Sequence, residues 1–249
     1  MSSTITPPPP IIAPDPYEVE GHDDHHGHDH HGHEHHPRHQ HHFATMDQQF
    51  DAAKMGMWIF LVTEVLLFSG MFVAYTVYRI WYPEVFVSAS ELLDPYMGLL
   101  NTLVLLTSSL TIAMAVRCAQ VGDQKALFRN LVATVALAGV FMVVKAFEYG
   151  SKFSHGIFPG ENFAPHGEGY AHFAEIAYAP QFFSIYYVMT GIHGFHVVVG
   201  MILIGVIAWK AKKGAYTPEW YTPVEMSALY WHIVDIVWIF VFPLLYLIH

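Results

Sequence analysis

Charge is the first scarcity in this chain. Asp, Glu, Lys and Arg together make up 13% of its 249 residues, against about 25% in soluble domains. The apolar residues run in long uninterrupted blocks, which excludes a soluble globular fold. It also excludes a closed β-barrel, whose strands would alternate apolar and polar positions. Cysteine is almost missing: Cys118 stands alone, so the chain holds neither a disulfide framework nor a cysteine-based metal site. The first fifty residues contain no apolar core, so they do not form a cleavable secretory signal. No acidic or histidine pair recurs in two matching halves, so an inverted repeat is not visible. The paired Glu-x-x-His motif of carboxylate-bridged di-metal bundles is lacking too. With a formal net charge of −10, nucleic acid is not an expected partner.

What remains is a membrane chain with a polar tail. The all-α expectation is a polytopic bundle of five transmembrane helices at about 55–80, 97–118, 129–150, 181–209 and 224–248, forming a domain over 51–249. Residues 1–50 are expected to be a disordered tail. Pro7 to Pro10, Pro14 and Pro16 favour an extended spacer. The stretch from His22 to His42 holds twelve of the nineteen histidines and is too polar to build a core. His22, His25, His26, His28, His30 and His31 could bind Zn²⁺, Cu²⁺ or Ni²⁺ loosely; the alternative is a solvated tail whose metal affinity is incidental.

The cations set the expected orientation. Arg38, Lys54, Arg117, Lys125, Arg129, Lys210, Lys212 and Lys213 fall on one side, and only Arg79 and Lys152 on the other. The positive-inside rule then puts the amino terminus in the cytoplasm and the carboxyl terminus outside. Lys210, Lys212 and Lys213 could also meet anionic lipid headgroups. The long connection at 151–180 is external on this reading, and its His155, His166 and His172 have no regular ligand spacing.

Five ionisable residues lie where hydrocarbon should be. Twenty-four residues separate Lys54 from Arg79, and Glu64 is the only charged one among them. It sits roughly 14 Å into the apolar run at 1.5 Å per residue. An ionised carboxylate there costs about 2.5–3.5 kcal/mol on insertion scales, so Glu64 must be neutral, paired or turned toward protein. His193 and His196, three apart, are expected to share a face of the fourth span, and His232 and Asp235 a face of the fifth. With Glu64 they are expected to form one buried polar cluster. Lys145 and Glu148 are placed as a mutually neutralising ion pair at the membrane boundary, an anchor rather than a catalytic dyad. For the central residues three explanations compete: metal or haem ligation, ion transport, and a proton-buffering or structural network beside a redox partner.

The segments KMGMWIFLVTEVLLFSGMFVAY, LLNTLVLLTSSLT, Phe147–Tyr149, YYVMTGIHGFHVVVG and ALYWHIVDIVWIFVFPLLYL resemble, in order and spacing, successive blocks of subunit III of the haem–copper respiratory oxidases. The resemblance covers the chain from about Lys54 to His249. It implies an accessory subunit of a proton-pumping terminal oxidase, in the plasma membrane of a bacterium, without a catalytic centre of its own. Haem and copper would reside in partner subunits. The chain would pack on subunit I, associate with subunit II and further respiratory subunits, hold structural phospholipids, support proton uptake and protect against turnover-linked inactivation. Glu64 matches the family's carbodiimide-reactive carboxylate and is expected within hydrogen-bonding reach of His196. By position, His193, His196, His232 and Asp235 match the family's interior polar residues. The first two helices of the seven-helix members are expected to be missing, which leaves the cleft lipids in doubt. Quinol oxidases also use the short form; a glutamate at position 64 leans toward cytochrome c as donor. The remaining alternative is a histidine-rich metal-ion carrier.

Overall fold

The computed structural model describes residues 43, 45–167, 170, 173 and 175–248. The tail histidines His22 to His31, and His172, lie outside the described residues. Among those described, the chain is helical: α1 (Met46–Trp81), α2 (Pro83–Ser90), α3 (Pro95–Val121), α4 (Gln124–Ser154), a 3₁₀ turn (Gly160–Asn162), α5 (Ala179–Lys212) and α6 (Thr222–Tyr246). All but α2 and the 3₁₀ turn are long and apolar enough to cross a membrane.

Two elements differ from the sequence expectation. Helix α1 begins at Met46, so residues 46–50, assigned above to the tail, are helical. The Thr45 side chain accepts from the Gln48 amide at 3.1 Å, satisfying an otherwise orphaned donor. The connector after α1 folds into α2, with Pro83 in its first turn, where a missing N–H costs nothing. Phe86 of α2 packs edge-on to Tyr75 at 5.3 Å and to Phe182 at 5.1 Å.

The α3–α4 hairpin is set by two adjacent residues. Gly122, at φ 85°, ends α3 in the left-handed conformation that glycine adopts without penalty. Asp123 then caps α4 by accepting from the Ala126 amide at 3.0 Å. Inside the bundle, the Trp231 and Trp238 indoles donate to Ser108 Oγ at 3.0 Å and Thr102 Oγ1 at 3.1 Å, so α6 is keyed to α3 through groups that lipid could not satisfy. Burial is uneven. Of the most apolar stretch of α1 only 11% is buried within the chain, against 56% for α6. Helix α1 therefore lies on the periphery, with α6 central.

Gly200 lets α5 approach α6: a Cβ there would stand 2.7 Å from the Trp231 ring, which is fully buried and cannot yield. Gly200→Ala is expected to destabilise the fold by about 1–3 kcal/mol through overpacking. Gly191→Ala, where a Cβ meets open space, should be neutral or stabilising by up to about 1 kcal/mol. Thermal denaturation of both variants in detergent reads the contrast.

Candidate functional site

The expected contact between Glu64 and His196 is present. Glu64 Oε2 lies 2.9 Å from His196 Nε2, with the side chains only 14% and 12% exposed. The two atoms stand at ion-pair distance, but Glu64 Oε2 has no hydrogen-bond partner among the described residues. On its other edge, His196 Nδ1 is 2.8 Å from the Ile192 carbonyl oxygen. A carbonyl only accepts, so Nδ1 carries a proton. That leaves two states for the pair: a protonated Glu64 facing the Nε2 lone pair, or a carboxylate facing an imidazolium. Each has zero net charge, and they differ by one proton moved between the partners. Such a pair tolerates hydrocarbon better than an isolated ion. Phe68 covers the imidazole at 5.4 Å. Tyr230 donates to the His196 carbonyl at 3.1 Å, and Phe60 stacks on Tyr230 at 6.0 Å. Helices α1, α5 and α6 thus meet at this pair.

The five central residues are divided among three settings rather than gathered in one. Residues three apart on a helix differ by about 60° around its axis; that offset separates His193 from His196. His193 turns into the bundle, fully buried between Trp238 at 5.0 Å and Phe141 at 5.6 Å, and neither ring nitrogen has a hydrogen-bond partner among the described residues. His232 turns toward α3, where its Nδ1 meets Ser109 Oγ at 2.7 Å. Asp235 lies beside the same serine, 4% exposed, with Oδ1 unpartnered.

The Lys145–Glu148 pair is more than a boundary anchor. Both side chains are buried, at 8% and 3% exposure, and they form the centre of a network across α4, α5 and α6. Lys145 Nζ donates to Glu148 Oε2 at 2.9 Å, to Tyr246 Oη at 2.8 Å and to Tyr186 Oη at 3.2 Å, which uses all three of its hydrogens. Glu148 Oε1 accepts from Tyr246 at 2.6 Å, Tyr186 at 2.7 Å and Lys152 Nζ at 3.3 Å. Sequence reasoning missed Tyr186, Tyr246 and Lys152. The available signals were the four-residue spacing of Glu148 and Lys152 and two tyrosines whose hydroxyls needed partners inside apolar helices.

The remaining candidates are peripheral. His155 and His166 direct Nδ1 to the carbonyls of Ser151 and Ala164, at 2.7 and 3.1 Å. Among the described residues no three His, Cys, Asp or Glu side chains are grouped to hold a metal ion. Lys210 and Lys212 occupy the last turn of α5, and Lys213 places its ammonium 3.5 Å over the Trp209 ring.

Comparison with known proteins adds a family. The profile described as "Cytochrome c oxidase subunit III" matches residues 34–173 and 168–249. Cytochrome c oxidase subunit 3 of Thermostichus vulcanus is 30% identical over 203 residues, covering 80% of this chain and 88% of the relative. That of Arabidopsis thaliana is 32% identical over 203 residues, covering 78% and 67%. Quinol oxidase subunit 3 of Bacillus subtilis is 30% identical over 207 residues, covering 82% and 92%.

Glu148→Gln would leave two buried ammonium groups without their carboxylate. The expected loss is about 3–5 kcal/mol of stability, as for other buried pairs broken on one side. Tyr246→Phe removes one hydrogen bond to the carboxylate and should cost about 1.5–3 kcal/mol. Equal melting temperatures for wild type and Glu148→Gln would contradict the hub role.

Proposed function

The chain belongs to the cytochrome c oxidase subunit III family, and from that premise we propose that it serves its complex without handling electrons, by steadying the catalytic subunit I and keeping proton uptake fast. The complex in this reading oxidises ferrocytochrome c, reduces oxygen to water and moves protons across the membrane of a bacterium. Haem and copper belong to partner subunits. Family membership favours this reading over a metal-ion carrier.

The observation that carries the proposal is the Glu64–His196 pair. Its two neutral states differ only in where one proton sits, so it can hold a proton at mid-membrane without a net charge; handing that proton on leaves one negative charge, which the next proton taken up cancels. His232, with Ser109 and Asp235 beside it, offers further proton-bearing groups in a separate setting between α3 and α6. The eight-to-two division of cations supports an amino terminus in the cytoplasm. It also puts Lys210, Lys212 and Lys213 at the inner headgroups, where anionic lipid would be attracted to them.

A quinol donor is the second reading, favoured by the 92% coverage of the Bacillus subtilis relative. Purification of the complex through this chain tests the family reading, and turnover with ferrocytochrome c or with quinol separates the donors. The expected result is a haem-bearing complex that turns over with ferrocytochrome c. Glu64→Gln should assemble normally and bind the same haems, with slower proton uptake or earlier inactivation during sustained turnover. Loss of oxygen reduction on the first turnover would contradict a supporting role.

A further inference from the structure

Three of the grooves among the described residues differ in how fully their polar groups are satisfied. One, of about 430 Å³, runs between α4 and α5 and includes Lys145, Tyr149 and Thr190 in its lining. Lys145 already makes three hydrogen bonds. Tyr149 and Thr190 bond to each other, and Thr190 donates to the Tyr186 carbonyl. A smaller groove of about 180 Å³ between α1 and α5 contains Ser184, which donates to the Pro180 carbonyl and accepts from the Gly160 amide. An acyl chain could fill either groove and leave no polar group unmatched.

The third groove, of about 320 Å³, lies between α1 and α6. Its walls are apolar, from Trp58, Val62 and Leu66 to Ile236, apart from one side chain, His232. The imidazole is bonded through Nδ1 to Ser109; Nε2 has no partner among the described residues. A ring nitrogen left bare in hydrocarbon is costly, whichever tautomer is present. Lipid tails cannot supply the missing hydrogen bond, and a transmembrane helix can. The groove also borders the least buried helix of the bundle, at the level of the Glu64 turn, since Leu61 and Val65 line it as well.

We propose that the α1–α6 groove seats a transmembrane helix of a neighbouring oxidase subunit, which brings a hydroxyl or carboxamide side chain to His232 Nε2. The proposal rests on the family reading and specifies the face through which this chain joins its complex. The docked helix covers the outer side of α1 and closes the groove beside the Glu64–His196 pair. A hydroxyl or amide can donate or accept, so it satisfies Nε2 in either tautomer. Packing against α1 uses apolar complementarity, and the single polar contact fixes depth and rotation.

The test uses the whole complex. A photoreactive benzoylphenylalanine is placed at Val62 or Ile236, both on the groove and exposed in the isolated chain, and in separate variants at Phe195 or Val198 in the α4–α5 groove. Irradiation in the membrane should join Val62 and Ile236 variants to an oxidase subunit and give only lipid adducts from Phe195 and Val198. In parallel, His232→Leu should weaken retention of the chain during detergent washing by about tenfold, the scale of one interhelical hydrogen bond. His232→Gln, which keeps an amide at that depth, should restore part of it. A haem-bearing complex in which Val62 and Ile236 capture only lipid would overturn the groove assignment and leave the family reading intact. A preparation lacking haem would overturn the subunit reading itself.

Discussion

Hydrocarbon will not accept a lone carboxylate, and the placement of α1 against α5 and α6 follows from that refusal. Glu64 is held at His196, whose orientation is fixed by the Ile192 carbonyl behind it. The pair carries no net charge in either arrangement of its proton, so it can sit on a sparsely covered helix without being expelled. Beside it Phe68 packs on the imidazole, and Phe60 stacks on the Tyr230 ring. Elsewhere α1 is tied by the Tyr75 hydroxyl to the Leu244 carbonyl, and by Lys54 to Glu225 at 3.4 Å.

A second charged centre works differently. Lys145, Glu148 and Lys152 are ionisable groups of opposite sign on one helix, and tyrosines from α5 and α6 complete their hydrogen bonding. This network joins three helices through Lys145, all three of whose hydrogens are engaged. The Glu64 pair and the His232 group are less complete, with a carboxylate oxygen at ion-pair distance but without a hydrogen bond in one and an unmatched nitrogen in the other. Buried His193, unpartnered on both nitrogens among the described residues, shows that incompleteness also occurs inside the scaffold.

Much of this was readable from residues alone. Five spans follow from the apolar runs, and a carboxylate in the middle of one has few partners of the right depth, which pointed to the interior histidines; the choice of His196 came with the family resemblance. Resolving His193 from His196 could not be done from spacing. Their 60° offset matters only once Phe141 of α4 and Trp238 of α6 are placed against His193, and α1 against His196. Tyr186 and Tyr246 were hidden for the same reason, since tyrosines are common in membrane helices and nothing local says whose hydroxyl meets which carboxylate. The start of α1 and the whole of α2 were missed because their signals, a threonine cap and a proline–glutamate first turn, are short and lie outside the apolar pattern.

The peripheral position of α1 also bears on how the chain is made. Helix α1 precedes α5 in the chain, so Glu64 leaves the ribosome before His196 has been made. For that interval the carboxyl has no imidazole to meet, and α1 carries the insertion cost of a mid-helix acid, about 2.5–3.5 kcal/mol. The later arrival of α5 supplies the neighbour that offsets it.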